Sequence, residues 1–316
     1  MTASRHVVRR GGELELTAPP GTTAEGLTRW SVVDEEVPGA VHTGFAIVEL
    51  AGGGRIPWHV HSYEDSLYVL EGEVVVDTGD GANLLRQGDY GVTPVGAPHA
   101  LRNVSDVPAR WATMWAPQPR SRVHGDTYAV PGLPEREPTP VDPRDPRTRS
   151  FGHIDPANME VDKQTQDMLA VSASMRTALL VYSGITVKMM VDADLGAQLL
   201  TMFMVQYEPH GLAGRHDHAY EETYLILEGD VDAEFDGERY HLVPGDVAWA
   251  GVGCVHAFDN PGPGIVRWLE TQAPQPPHRH SYRFARDWEY LTDALSNSDT
   301  DTSSKPEHME EANADG

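Results

Sequence analysis

Two histidines one residue apart, a carboxylate four positions after the second, and a third histidine 38 positions after the second make a donor set for a divalent transition metal. The chain carries this set twice, as His59, His61, Asp65 and His99 and again as His216, His218, Glu222 and His256. Three imidazoles and a carboxylate suit Fe(II), Mn(II), Ni(II) or Zn(II), and leave one or two coordination positions for water, substrate or dioxygen. Every member of the second set lies 157 positions after its counterpart. The same displacement relates Gly72 to Gly229, Gly88 to Gly245, Asn103 to Asn260, Trp111 to Trp268, and Pro117-Gln118-Pro119 to Pro274-Gln275-Pro276. One histidine pair would be a weak signal, but four donors repeated in an unbroken frame mark a duplicated metal-binding unit.

The elements that position these donors follow from their spacing. Alternate side chains of a strand share a face, so histidines at i and i+2 point the same way. The third histidine has to arrive from another strand. Short runs rich in β-branched and aromatic residues, such as 45–50, 67–70, 74–76, 199–205 and 223–227, alternate with Gly-Asp and Asp-Gly turns at Gly88-Asp89, Asp236-Gly237 and Gly245-Asp246. Many short strands at close spacing predict an all-β sandwich or jelly-roll barrel. The chain divides into an N-terminal arm (1–26), a first barrel (27–119), a proline-rich linker with a short helix (120–178), a second barrel (179–277), a docked C-terminal segment (278–295) and an acidic tail (296–316) with little to bury. A short helix is expected within 156–175, where 162–169 lacks glycine and proline, and a strand over 178–191.

Composition sets the outer limits. A chain of 316 residues accommodates two domains. A net charge of −24 disfavours nucleic acid and anionic membrane surfaces as partners, leaving a small-molecule substrate. A lone cysteine, Cys254, excludes an internal disulfide. With no apolar run of signal-peptide or membrane-span length, a cytoplasmic location is expected. Exposed barrel edges allow a homodimer.

Gly53-(x)5-His59-x-His61-(x)3-Asp65-(x)6-Gly72 followed by Gly88-(x)5-Pro94-x-Gly96-(x)2-His99-(x)3-Asn103 closely resembles the paired motifs of the cupin superfamily. The second unit repeats them as His216-x-His218-(x)3-Glu222-(x)6-Gly229 and Gly245-(x)5-Gly251-x-Gly253-(x)2-His256-(x)3-Asn260. The resemblance implies a bicupin: two tandem double-stranded β-helix (jelly-roll) barrels with a few short helices and a metal inside each. Its retained carboxylate looks more like quercetin-type than gentisate-type dioxygenases. The expectation is therefore an Fe(II)-dependent dioxygenase, an oxidoreductase acting on a small aromatic, enolic or phenolic substrate. The same ligands with Mn(II) occur in oxalate decarboxylase, which the two intact sites also resemble. A non-redox hydrolase, isomerase or Mn decarboxylase is the alternative, as is a metal-containing binding protein without turnover.

The copies diverge where a substrate would sit. Asp65 is one methylene shorter than the family's glutamate, so the first site's fourth ligand is either Asp65 or its neighbour Glu64. Trp58, Leu67 and Val92 correspond to Arg215, Tyr224 and Trp249, and Phe45 and Ile47 to Met202 and Met204. If Glu222 points inward, so do Tyr224 and Ile226, while Phe258 follows His256. Glu222 is then ligand and candidate base, with Tyr224 beside it and Arg215 or Tyr220 at the mouth to orient an anionic or phenolic group. The plainer alternative is that these aromatics and methionines are barrel core. Cys254, two positions before His256, either faces the metal or is a small buried hydrophobe. The pair His278 and His280 lacks a following carboxylate and is expected at the surface.

Overall fold

The computed structural model describes residues 4–160, 183–275 and 283–284. Among these are 21 strands and four short 3-10 helices, arranged as two curled, largely antiparallel sheets, as an all-β tandem of jelly-roll units requires. The first sheet has 11 strands and the second 10. Of the helix expected within 156–175 the described part is a 3-10 helix at Pro156–Met159, and its remainder, the start of the strand expected over 178–191, the tail, and all of 278–295 except Arg283–Phe284 lie outside the described residues.

One long strand dominates each sheet, Gly44–His61 in the first and Thr201–Asp217 in the second, and each delivers its leading histidine near its end. Each bends midway through a left-handed residue, Gly53 at φ 73° and His210 at φ 63°. Glycine adopts that conformation freely, whereas His210 does so as one of the few side chains that tolerate it. Past the bend each long strand carries a bulge, between Ile56 and His59 and between Ala213 and His216, that sets His59 opposite His99 and His216 opposite His256. A bulge re-aims side chains in this way beside functional sites.

The linker contributes more than a connection. Thr127–Ala129 pairs with the histidine end of the first long strand, Thr139–Pro140 adds a parallel edge beside Ala82–Arg86, and Phe151–His153 covers Asp89–Thr93. The N-terminal strand His6–Arg9 does the corresponding job for the second sheet, pairing with Val247–Ala250. Each unit is thus edged by the segment that precedes the other unit in the chain.

Separate cores fill the two units, and a third joins them. The joining core corrects part of the expected pocket lining: Phe45, Ile47, Val92, Met202, Met204 and Trp249 all pack there, between the units. These strands are apolar on both faces because both are covered, one by the unit's interior and the other by its twin. Two carboxylates fasten the contact reciprocally. Glu64 accepts from the backbone N–H groups of Gln198, Leu199 and Leu200 at 2.6, 2.7 and 3.2 Å. Glu221, displaced from Glu64 by the same 157 positions, accepts from those of Val41, His42 and Thr43 at 2.8, 3.0 and 2.9 Å.

Candidate metal centre

The second site is built from three strands. His216 lies at the end of the long strand and His218 one residue beyond it, Glu222 is second in Glu221–Glu228, and His256 begins His256–Asp259. One ring nitrogen from each histidine lies within 4.8 Å of the other two, and all three side chains are buried. Glu222 Oε2 stands 3.0 Å from His218 Nε2 and 3.2 Å from His256 Nε2. The Tyr224 hydroxyl donates to the same oxygen at 2.5 Å, and Gln272 Nε2 donates to Oε1 at 2.6 Å, so the carboxylate plane is fixed from both sides.

In the first site His59, His61 and His99 converge in the same way, with the Nε2 atoms of His59 and His61 3.2 Å apart. Its carboxylate does not join them. Asp65 Oδ2 is 3.9 Å from His61 Nε2, while Oδ1 accepts the Thr113 hydroxyl. Burial pushes Asp65 up to about 7 against the pull of its Thr113 and Trp115 hydrogen bonds. Asp65, one methylene shorter, thus stands farther from the histidines than Glu222 does in the second site, with one of its oxygens held by Thr113. Glu64 is no substitute, since strand alternation turns it toward the other unit.

The donors fit a divalent cation. His59, His99, His216 and His256 each direct Nδ1 at a backbone carbonyl, those of Pro57, Ala97, Gly214 and Cys254, at 2.6 to 3.0 Å. The Nδ1 of His61 meets the Thr127 hydroxyl at 3.0 Å. Bonds of this kind hold the proton on Nδ1 and leave Nε2 as the donor atom, as in metal-bound histidines. Burial, reinforced by the neighbouring histidines, drives His61 down to about 2 and His99 to about 3, so both rings are neutral. Lone pairs turned toward one another in a buried cluster call for a positive charge between them.

Barrel two surrounds this frame with a protic set of its own. Burial and the adjacent Glu222 keep the Tyr224 hydroxyl protonated, far above the usual phenol range. Burial acts against a charge on Glu222, but His218 and His256 outweigh it and hold the carboxyl well below its usual range. Burial and the Glu222 charge push Glu270 well above the carboxyl range, so that it carries a proton. The Trp268 indole donates to Glu270 at 2.9 Å. Leu67, Thr113 and Trp115 occupy the positions of Tyr224, Glu270 and Gln272 in the first unit.

Other expected site residues lie elsewhere. Arg215 is exposed and paired with Glu234 at 3.2 Å, on the strand face opposite His216, which corrects its assignment as an orienting group. Tyr220 stacks on His218 at 4.5 Å, as Tyr63 does on His61 at 4.2 Å. Ile226 and Phe258 belong to the interior core of the second unit. Sequence reasoning overlooked Glu270, Gln272 and Thr127. The first two were detectable as polar residues alternating with Trp268 on one strand, whereas Thr127 shows only once the linker is seen to pair with the long strand.

Comparison with known proteins places this geometry. The family described as Cupin domain matches residues 46–116 and 203–272. Among curated proteins, the HTH-type transcriptional regulator PuuR of Escherichia coli is 34% identical over 76 residues, 24% of this chain and 41% of that protein. The chain thus spans well under half the length of this relative. The polyketide synthase CurC of Streptomyces cyaneus is 32% identical over 126 residues, 38% of this chain and 71% of that protein.

Three solved structures match nearly end to end. A Pseudomonas aeruginosa protein named as glyoxylate-induced has 19% identity and a TM-score of 0.59, covering 89% of this chain and 91% of that one. The formate complex of Lactobacillus farciminis oxalate decarboxylase has 16% identity and a TM-score of 0.59, covering 94% of both chains. A point variant of Bacillus subtilis oxalate decarboxylase has 14% identity and a TM-score of 0.59, covering 96% of this chain and 88% of that one. These matches correct the expectation of an Fe(II)-dependent dioxygenase of the quercetin type: the enzymes named among the three are oxalate decarboxylases, and none of the three is named as a dioxygenase. Among the described residues no helix is long and apolar enough to cross a membrane.

Proposed function

The chain belongs to the cupin family, as a tandem of two cupin domains, and from that premise we propose that it is a metal-dependent lyase that removes CO2 from a small carboxylic acid in its second barrel. The observation that carries this reading is the buried protic group around Glu222, formed by Tyr224 at 2.5 Å, Gln272 at 2.6 Å and the protonated Glu270. Loss of CO2 leaves an electron pair on carbon that must be quenched by a proton, and the balance R–COO⁻ + H⁺ → RH + CO2 needs no net oxidant. His216, His218, His256 and Glu222 would hold the ion, and a mixed nitrogen and carboxylate set suits Mn(II). When bound, such an ion supplies Lewis acidity toward the substrate's carboxylate oxygens.

The remaining work falls to the chain itself. Tyr224 and Gln272 hold Glu222 in one orientation, the positioning that general acid–base transfer requires. Glu270, hydrogen-bonded to Glu222, stands behind it as a proton reserve. Because Glu222 and Tyr224 are each only 1% exposed, bulk water is kept from competing for the carbon. The first barrel lacks these groups and serves as a second metal centre without the proton-delivering set.

Mn(II)-loaded protein offered small mono- and dicarboxylates, oxalate first because decarboxylases of that acid share the fold, is expected to release CO2 without stoichiometric oxygen uptake. Oxygen consumed one for one with substrate would overturn the reading.

A further inference from the structure

A second kind of donor cluster lies outside both three-histidine sites. His6 on the N-terminal strand, Asp236 in the turn after Val231–Phe235, and Cys254 just before His256–Asp259 each place a ligand atom within 4.8 Å of the other two. Nothing in the duplicated frame accounts for it, because the first unit has Gly79 and Ala97 where the second has Asp236 and Cys254. Nor does Cys254 join the histidine centre, which closes on His216, His218 and His256 without it.

The cluster is held in shape by its surroundings. Asp236 Oδ1 accepts from Val255 N at 3.0 Å and from Arg5 Nη2 at 2.7 Å, and Oδ2 accepts from Arg5 Nε at 2.9 Å, which leaves a lone pair on Oδ2. His6 Nε2 lies 2.9 Å from the Tyr240 hydroxyl, which donates to Glu238 at 2.8 Å, and His6 Nδ1 lies 3.4 Å from the Ser4 hydroxyl. The His6 ring is further fixed by stacking on Phe235 at 5.6 Å. Cys254 is 1% exposed, and its thiol makes a long contact of 4.0 Å with the Val255 carbonyl and faces the Asp236 carboxylate.

We propose that His6, Asp236 and Cys254 form a third metal site that takes a borderline-soft divalent cation such as Zn(II) and pins the N-terminal strand to the second barrel. One thiolate, one imidazole and one carboxylate, with water as the fourth ligand, make a tetrahedral zinc-type set. Tetrahedral donors at about 2.0 to 2.3 Å from a metal stand roughly 3.3 to 3.8 Å apart, so the three atoms have about 1 Å to close. Binding displaces the thiol proton to solvent, and Arg5, about half exposed, remains as the outer partner of the carboxylate.

Cobalt(II) titration of the full chain tests this cleanly, because Cys254 is the one cysteine and any thiolate-to-cobalt charge-transfer band must come from it. The band should saturate with one equivalent beyond those taken by the histidine centres. It should vanish in Cys254→Ala, need at least tenfold more cobalt in His6→Ala and in Asp236→Asn, and persist in His256→Ala. Retention of the visible cobalt bands of the histidine centres shows that a variant has folded. Zn(II) should also slow proteolysis ahead of residue 11 in the parent but not in His6→Ala. Absence of the band, unchanged cobalt affinity in both His6→Ala and Asp236→Asn, or loss of the band in His256→Ala would each overturn the site.

Discussion

At the scale of single residues, one methylene separates the two centres. Glu222 lies within 3.2 Å of two histidines, whereas Asp65 lies 3.9 Å from His61 and is held by Thr113. Asp65→Ala should therefore leave the first site's Mn(II) affinity within about twofold, while Glu222→Ala should lower the second site's by about tenfold or more, both read by metal titration. Equal losses would mean that Asp65 coordinates after all. Tyr224→Phe removes the hydroxyl that meets Glu222 and His256 while leaving every proposed ligand in place, so kcat for CO2 release should fall about a hundredfold with metal content within about twofold of the parent. The six histidines and Glu222 were legible because spacing alone brings them together. Arg215 could have been placed outward from the same alternation, since it precedes His216 by one residue. The roles of Asp65 and Glu64 were not legible, because a shift of about an ångström and a partner more than 130 residues away leave no local trace.

At the scale of elements, the long bent strands do the positioning and the exchanged arms close the barrels. Jelly-roll strands and their turns followed from alternation and Gly-Asp punctuation, and the strand expected over 178–191 is described as Ser183–Val191. What alternation could not distinguish was a strand face turned to the interior from one turned to the twin unit, since both are apolar. Phe45, Met202 and Trp249 therefore belong to the shared core rather than a pocket. The reciprocal carboxylate clasps lie at this scale too. Removing either acid strands three backbone donors in a buried contact, so Glu64→Ala and Glu221→Ala should each lower unfolding free energy by about 2–4 kcal/mol in urea titrations. A change below about 0.5 kcal/mol in both would show that the clasps are incidental.

At the scale of the whole molecule, the acidic, duplicated chain holds two cation sites of unequal equipment, and pH should expose them. Burial lowers His59, His61, His99, His216 and His218 below the ordinary histidine value, so below about pH 6.5 the unfolded chain binds more protons at these five positions than the folded one. Asp65, Asp89, Glu270 and the exposed His241 are shifted upward and act in the opposite sense, while the lowered Glu222, Asp126 and Asp236 act with the histidines. The metal-free protein should accordingly lose stability as pH falls from about 6.5 toward 4.5, seen as a lower urea midpoint at about pH 5 than at about pH 7. A midpoint equal or higher at the lower pH would mean that the histidines are not buried as neutral rings. The most direct test of the account compares CO2 release by Mn(II)-loaded His99→Ala and His256→Ala. Loss of release in His256→Ala with most of it kept in His99→Ala is the predicted result, and full release by His256→Ala would contradict a reaction in the second barrel.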